Sequence, residues 1–267
     1  MKNSRYLECL AADATRLREV AAQDLGAPVP SCPGWTVTDL VRHTTQVYLH
    51  KAETMRRGDW PKPWPPDLSA EEPIAAFERS YAELIAEFAA REPEDPTLTW
   101  FDPDQTVGFW VRRMAQETVI HRVDAELALG AERAPIPPDL AIDGVDEVLV
   151  AFLEFGTTQW AEDFGEALTG ADGRSVRVST GPASWVVRLA ATGAEVTARP
   201  PVLASATPPR RPEGLATDDP AVAATVSGEP ADVLLWLWRR VGADAVTVSG
   251  EAAVVDRLHR LLEGATQ

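Results

Sequence analysis

The sequence predicts an α plus α+β architecture, in which an N-terminal helical bundle precedes a smaller α+β domain. Apolar side chains recur at three- and four-residue spacings through the first 168 residues, the periodicity of amphipathic helices. After the segment 170–173 (Gly-Ala-Asp-Gly), the apolar runs become short and alternate with polar residues, as strands do. We therefore assign residues 1–168 to the bundle and residues 172–267 to the α+β domain.

Four or five antiparallel helices are expected in the bundle, with turn and cap signals at their ends. Pro30, Pro33 and Gly34 interrupt the first helical stripe, and Thr36 with Asp39 has the form of a capping box that starts the second helix. The fourth helix is expected to stop at a glycine, residue 130. The predicted helices span residues 4–25, 36–57, 70–91, 106–129 and 138–168.

The second domain is expected to combine short strands with two helices. The segment Arg199–Gly214 is rich in proline and is predicted to be a loop within this domain. Strands are predicted at residues 176–178, 185–189, 195–197, 221–226 and 246–248, and helices at residues 230–241 and 251–263.

Net charge, hydropathy and cysteine content indicate which kinds of partner and which cellular compartment to expect. The formal net charge is −16 and the isoelectric point is near 4.7, a field that repels phosphate backbones, so nucleic acid is not expected as a partner. No segment approaches the roughly 20 apolar residues of a membrane span, and no signal peptide is visible, so no membrane association is expected. Two cysteines, Cys9 and Cys32, give no disulfide framework, and the expected location is the cytoplasm.

The fourth predicted helix carries ionisable side chains on an otherwise apolar stripe. Trp110, Met114, Glu117, His121 and Asp124 fall within one arc of this helix. Glu117 and His121 are four residues apart, a rise of about 6 Å, so both side chains can reach one metal ion. The alternative is an ion pair on a solvated face, which would leave the tryptophan and the methionine exposed.

The second predicted helix offers a third metal ligand. His43 and His50 share one apolar face, but they lie about 10 Å apart along the axis and cannot bind the same ion. Either one can face the Glu117–His121 pair in an antiparallel bundle, and the spacing does not choose between them. Two histidines and one glutamate leave an open coordination position, as catalytic zinc requires.

Other polar residues have both a functional and a structural interpretation. Asp124 is either an acceptor for the His121 imidazole or a surface carboxylate. Cys32 is interpreted as a small buried apolar residue, since no base is identifiable beside it. Arg240 is a candidate for binding an anionic ligand, together with Arg239 and Arg188. Arg239 and Arg240 alternatively complement the helix dipole.

Three segments resemble the mycothiol-dependent maleylpyruvate isomerase family, within the wider DinB-like metalloenzymes. They are residues 29–43 (VPSCPGWTVTDLVRH), 117–130 (ETVIHRVDAELALG) and 226–240 (VSGEPADVLLWLWRR). The resemblance implies a DinB-like four-helix bundle with an appended α+β domain. It also implies that His43, Glu117 and His121 bind the metal, and it selects His43 over His50. The implied cofactor is Zn²⁺, or another divalent ion, and mycothiol is the implied cosubstrate.

The resemblance further implies an enzyme that joins a small-molecule thiol to an electrophilic substrate. A thiol bound at zinc loses its proton at neutral pH, and the thiolate can attack an electrophile. In a cis–trans isomerase the thiolate adds to a conjugated double bond, permits rotation and leaves, whereas in an S-transferase it stays attached. The alternatives are a metal-dependent hydrolase and a non-catalytic metal- or thiol-binding protein.

Overall fold

Four helices make up the first compact unit of the computed structural model, residues 1–135, all of which the structure describes. Each agrees with a predicted helix to within a few residues at its ends. Thr36 and Asp39 form the predicted capping box, and Gly130, at φ 60°, ends the last helix. The helices are α1 (Asn3–Ala21), α2 (Val37–Arg57), α3 (Pro73–Ala89) and α4 (Val107–Leu129).

Helix α4 is the central element of this unit. It packs against α1 and α2, and α2 also packs against α3. Residues on nearly every side of α4 are therefore buried, and Trp110 and Met114 are almost fully enclosed. A helix buried all round does not need a single apolar stripe, so its ionisable residues point into the protein rather than into water.

A cluster of buried charges joins α1 to α4. Arg122 donates to Asp13 Oδ1 at 3.0 Å and to Glu126 Oε2 at 2.7 Å, and its guanidinium is fully buried. Arg16 donates to the other oxygen of Glu126 at 3.0 Å. Burial raises the pKa of Asp13 to about 6, although the charge of Arg122 opposes the shift. The cluster is balanced only while both arginines are present.

The raised pKa of Asp13 predicts that this residue makes the protein less stable as the pH rises. The folded chain holds the Asp13 proton up to about pH 6, whereas the unfolded chain releases it near 3.8, so the stabilising contribution is present at low pH and is lost through pH 6. We expect the free energy of unfolding of the wild type, measured relative to that of Asp13→Asn, to fall by about 2–3 kcal/mol between pH 4 and pH 7. Urea unfolding of both proteins measures it. A difference that stays constant with pH would contradict this assignment.

The second compact unit, residues 136–267, combines helices with a sheet, and the structure describes it at residues 136–198 and 222–266. A continuous helical run opens it: α5 (Pro138–Glu147), a π-helical segment (Val148–Glu154) and α6 (Phe155–Gln159). A 3₁₀ segment, Ala161–Ala167, follows, but the backbone is non-helical at Trp160 and at Gly165, so the helix predicted at residues 138–168 is continuous only to Gln159.

The described strands of this unit are β1 (Asp172–Ser179), β2 (Ser184–Ala190), β3 (Gly193–Ala198), β4 (Val222–Ser227) and β5 (Thr247–Gly250). They form one sheet in the order β3-β2-β1-β4-β5. The pairs β1–β2, β2–β3 and β4–β5 are antiparallel, whereas β1 and β4 are parallel. Trp185 of β2 is buried and donates its indole N–H to Asp146 of α5 at 3.0 Å, which ties the sheet to the helical run. Helix α7 (Pro230–Leu237) lies between β4 and β5 in the chain, and helix α8 (Ala252–Ala265) follows β5.

These elements confirm the predicted fold class of N-terminal helices followed by a small sheet with helices. The division by packing falls between Pro135 and Ile136, because α5 and the π-helical segment pack against α7 and β3 rather than within the first unit. The predicted domains, 1–168 and 172–267, instead follow the change from helix to strand, and these boundaries stay a prediction. The predicted loop Arg199–Gly214 lies outside the described residues.

Among the described helices, none combines the length and the apolar character that crossing a membrane requires.

Candidate metal centre

Helices α2 and α4 bring His43, Glu117 and His121 together. His43 Nε2 lies 3.2 Å from Glu117 Oε1, and His121 Nε2 lies 3.1 Å from the same oxygen. The two imidazole rings are 5.0 Å apart, centroid to centroid, and nearly perpendicular. One possible ligand atom from each residue lies within 4.8 Å of the other two. The three side chains therefore converge on one point.

Glu117 is held as a carboxylate at this point. Burial alone raises its pKa, but His121 and Arg113 hold the pKa of Glu117 well below its usual range. Arg113, one helical turn earlier on α4, donates to Oε2 of Glu117, so the guanidinium occupies the oxygen that does not face the histidines. The side chain of Glu117 is only 14% exposed, which excludes the alternative of a surface ion pair.

His121 is fixed from its other side by Asp124. The carboxylate of Asp124 is fully buried, and its Oδ2 lies 2.9 Å from His121 Nδ1. An N–H on Nδ1 directed at this carboxylate leaves the lone pair of Nε2 facing Glu117, as a metal ligand requires. Asp124 is thus not a surface carboxylate, and it occupies the position that the sequence suggested for an acceptor.

Electrostatics around His121 favour its protonated form when no cation is bound. Burial lowers the pKa of His121, but the carboxylates of Glu117 and Asp124 outweigh burial and raise the pKa to about 9. A site that attracts a proton this strongly is a site of negative potential, and a divalent cation satisfies the same two carboxylates.

The segment between α1 and α2 lines the same site, and we call residues 29–35 the ligand turn. Ser31 Oγ donates to Asp124 Oδ1 at 2.5 Å, and Cys32 Sγ lies 3.9 Å from Asp124 Oδ2. The indole ring of Trp35 lies 5.1 Å from the His43 ring, centroid to centroid. The predicted role of Cys32, a structural one, remains a prediction.

Two further polar groups of α2 lie along the seam with α4. Lys51 places its ammonium 4.6 Å from the ring centroid of Trp110. Burial lowers the pKa of Lys51 to about 8, while the charge of Glu117 acts in the opposite direction. Tyr48 is buried, and its hydroxyl lies 2.6 Å from the hydroxyl of Thr118. This end of the seam therefore carries a cation and a neutral polar pair.

His50, the other histidine of α2, lies away from the three converging side chains. Its ring lies against Trp60 and Trp64, at centroid distances of 5.4 and 4.8 Å. Burial and the neighbouring Lys51 lower the pKa of His50 to about 4. His50 is therefore a neutral packing histidine, and it serves as a natural control for His43.

The arginines proposed from the sequence lie in the second unit, where each makes a local contact. Arg240 donates to the carbonyl oxygen of Trp238 at 2.7 Å and lies over its ring. Arg239 donates to the carbonyl oxygen of Thr266 at 2.8 Å, and Arg188 pairs with Glu195 at 3.2 Å. A role for Arg240 in ligand binding stays a prediction.

The donor set suits a divalent metal ion. Imidazole nitrogen and carboxylate oxygen are ordinary zinc donors, and Arg113 and Asp124 set the charge of Glu117 and the orientation of His121. Among the described residues, the group of potential ligand atoms contains these three residues and no fourth. An ion held by these three residues alone would keep a coordination position for a ligand that is not part of the protein.

Arg113, Ser31 and Lys51 were not proposed as site residues from the sequence. Arg113 carried a usable signal, because it lies four residues before Glu117 on the same helix. Ser31 and Asp124 are 93 residues apart, and nothing in the local pattern of either segment indicates their contact.

Comparison with known proteins identifies the family. The model of the mycothiol maleylpyruvate isomerase N-terminal domain matches residues 7–126, and the model of the MDMPI C-terminal domain matches residues 139–257. No curated protein matches the chain significantly. Two crystal structures of the mycothiol-dependent maleylpyruvate isomerase, one of them a histidine-to-alanine mutant, are similar at TM-scores of 0.62 and 0.60. Each is 17% identical and covers 94% of this chain and 95% of its own. Since the two family domains account for most of its length, the chain belongs to the mycothiol maleylpyruvate isomerase family.

Proposed function

We propose that this protein is a zinc-dependent enzyme that activates a low-molecular-weight thiol, mycothiol, for addition to an electrophile. The observation that carries the proposal is the convergence of His43, Glu117 and His121 on one point. Family membership supports the choice of thiol, because the solved relatives are named for their dependence on mycothiol.

The protein's own residues prepare this site. A divalent ion held by the three ligands supplies Lewis acidity that lowers the pKa of a bound thiol. Arg113 keeps Glu117 ionised and holds one of its oxygens, and Asp124 holds His121 with Nε2 facing the other ligands. The positive charges of Arg113 and Lys51 offset the acidic field of the chain near the site, which favours an anionic sulfur.

The two reaction types differ in the fate of the sulfur. In an isomerase of the maleylpyruvate type the thiolate adds to a conjugated double bond, the bond that becomes single rotates, and the thiolate leaves, so no thiol is consumed. In an S-transferase the carbon–sulfur bond remains. The names of the solved relatives favour the isomerase.

The test combines two measurements on zinc-loaded protein. The protein is incubated with mycothiol and maleylpyruvate, isomerisation is followed by ultraviolet absorbance, and mass spectrometry detects any stable adduct of mycothiol with the substrate or with other electrophiles. Turnover that requires both zinc and mycothiol supports the proposal, and adduct formation selects the transferase. Products that have taken up water in the absence of a thiol would instead indicate a hydrolase, and zinc or mycothiol binding without any turnover would indicate a binding protein.

Zinc binding is expected to release protons, because the ion competes with the proton on His121. The raised pKa of His121, about 9, means that this proton is bound at neutral pH and must leave. The apparent zinc affinity should therefore rise by up to about tenfold per pH unit below pH 9. Calorimetry in buffers of different ionisation enthalpy measures the proton release. Zinc affinity independent of pH between 6 and 8 would show that His121 is not displaced from its proton.

Removal of the metal is expected to abolish activity and leave the fold intact. The four helices of the first unit bury apolar residues along their length, and this core does not depend on the three ligands. After chelation, far-ultraviolet circular dichroism should keep its helical signal while turnover falls to background. Cooperative unfolding on chelation would show instead that the ion holds the fold together.

A further inference from the structure

The ligand turn, residues 29–35, contacts the His43 imidazole directly and reaches the His121 imidazole through Asp124. Its backbone is closed by hydrogen bonds from Val29 N to Trp35 O at 2.9 Å and from Trp35 N to Cys32 O at 3.0 Å. From this closed turn, Ser31 reaches Asp124 on α4, and Trp35 lies against His43 on α2. The turn is therefore placed to act on ligands from two helices.

The contact of Ser31 with Asp124 is a hydrogen bond. Its hydroxyl donates to Oδ1 of Asp124 at 2.5 Å, a distance typical of a hydrogen bond to an ionised acceptor. The other oxygen of Asp124 faces His121 Nδ1 at 2.9 Å. Rotation of the carboxylate about its Cβ–Cγ bond would break both contacts together. A fixed Oδ1 therefore fixes the orientation of Oδ2, and with it the plane of the His121 ring.

Because Asp124 is buried, it depends on protein groups for its hydrogen bonds. The Asp124 side chain is fully buried, so water cannot replace a lost hydrogen-bond donor without entering the core. Cys32, the next residue, offers the same carboxylate only a thiol at 3.9 Å, and a thiol is a weak donor. The hydroxyl of Ser31 is therefore a stronger hydrogen-bond donor to Asp124 than the thiol of Cys32.

We propose that Ser31 is a positioning residue for the metal centre, acting through Asp124 to hold His121 Nε2 in the direction of the metal. This inference rests on the proposed function, since it takes His121 to be a metal ligand. It adds a residue that contacts neither the metal nor the substrate and that determines how tightly the metal is held.

The test measures zinc affinity by competition with a chromophoric chelator. Ser31→Ala should weaken zinc binding about tenfold, the low end of losses for groups that orient a ligand. The urea midpoint of the metal-free protein should also fall, because one oxygen of a buried carboxylate loses its donor. Ser31→Thr retains the hydroxyl and should restore most of the affinity. Ser69→Ala is the matched control, because it removes an exposed serine hydroxyl outside the ligand turn, and it should bind as the wild type does. In an Asp124→Asn background, Ser31→Ala should have no further effect, since the hydroxyl acts through the carboxylate.

Several results would overturn the inference. Wild-type affinity in Ser31→Ala, an equal loss in Ser69→Ala, or additive losses of Ser31→Ala and Asp124→Asn would each show that the hydroxyl does not act through Asp124. If the wild type itself binds no zinc, the proposed function fails. Metal-free crystal structures then decide whether Ser31 holds Asp124 against His121. Those structures should keep the contact between Asp124 Oδ2 and His121 Nδ1 in the wild type and lose it in Ser31→Ala. An unchanged contact in that variant would end the inference.

Discussion

Substitution of His121 by alanine is expected to remove stoichiometric zinc and, with it, catalysis. His121 supplies one of three converging donors, and its loss also leaves Asp124 without the imidazole that it faces. Structural zinc sites with four ligands bind with about 10–16 kcal/mol, so one donor contributes roughly 3 kcal/mol, or more than a hundredfold in affinity. Metal analysis of purified protein and competition with a chelator measure the loss, and turnover should fall with metal content.

His50→Ala is the matched control for this prediction. His50 is a histidine on the same helix as His43, but it packs against Trp60 and Trp64 rather than facing Glu117. Its removal should leave one ion per chain and the wild-type zinc affinity. One ion per chain in His121→Ala would mean that the metal lies elsewhere, and loss of metal in both variants would point to a general effect on the bundle.

The helices of the first unit could be predicted from the sequence because their signals are local. The Thr36–Asp39 capping box and the stop at Gly130 depend on residues within one or two turns. The packing of residues 138–159 depends on distant residues instead. That run is apolar enough to join either unit, and only its contacts with α7 and β3 place it with the sheet. A helical pattern shows that a helix forms, but it does not name its neighbours.

The site shows the same division between local and distant information. Glu117 and His121 share one helix, so their spacing alone brought them together as a candidate pair. The choice between His43 and His50 depends on the antiparallel register of α2 against α4, which the stripe of α2 does not encode. In the structure this register places His43 at Glu117 and Lys51 at Trp110. The resemblance to the family supplied the information that periodicity lacked.

The largest effect on stability is expected from Arg122→Ala, which should lower the free energy of unfolding by about 3–5 kcal/mol at pH 7. Arg122 donates to Asp13, to Glu126 and to the carbonyl oxygen of Ala134 at 2.8 Å, all within the core. Alanine leaves the two carboxylates buried with one guanidinium, that of Arg16, and it also creates a cavity. Urea unfolding followed by circular dichroism measures the loss.

Arg133→Ala is the control, because it changes the net charge equally at an exposed residue, and it should shift the free energy of unfolding by no more than about 0.5 kcal/mol. The damage in Arg122→Ala should shrink as the pH falls toward about 6. Loss of the arginine raises the pKa of Asp13 further, and protonation of Asp13 then removes one of the uncompensated charges. Adding Asp13→Asn to Arg122→Ala should recover part of the lost stability at pH 7 for the same reason. Equal losses in the Arg122 and Arg133 variants, or a second substitution that adds to the first, would show that the buried cluster does not hold α1 against α4 by charge.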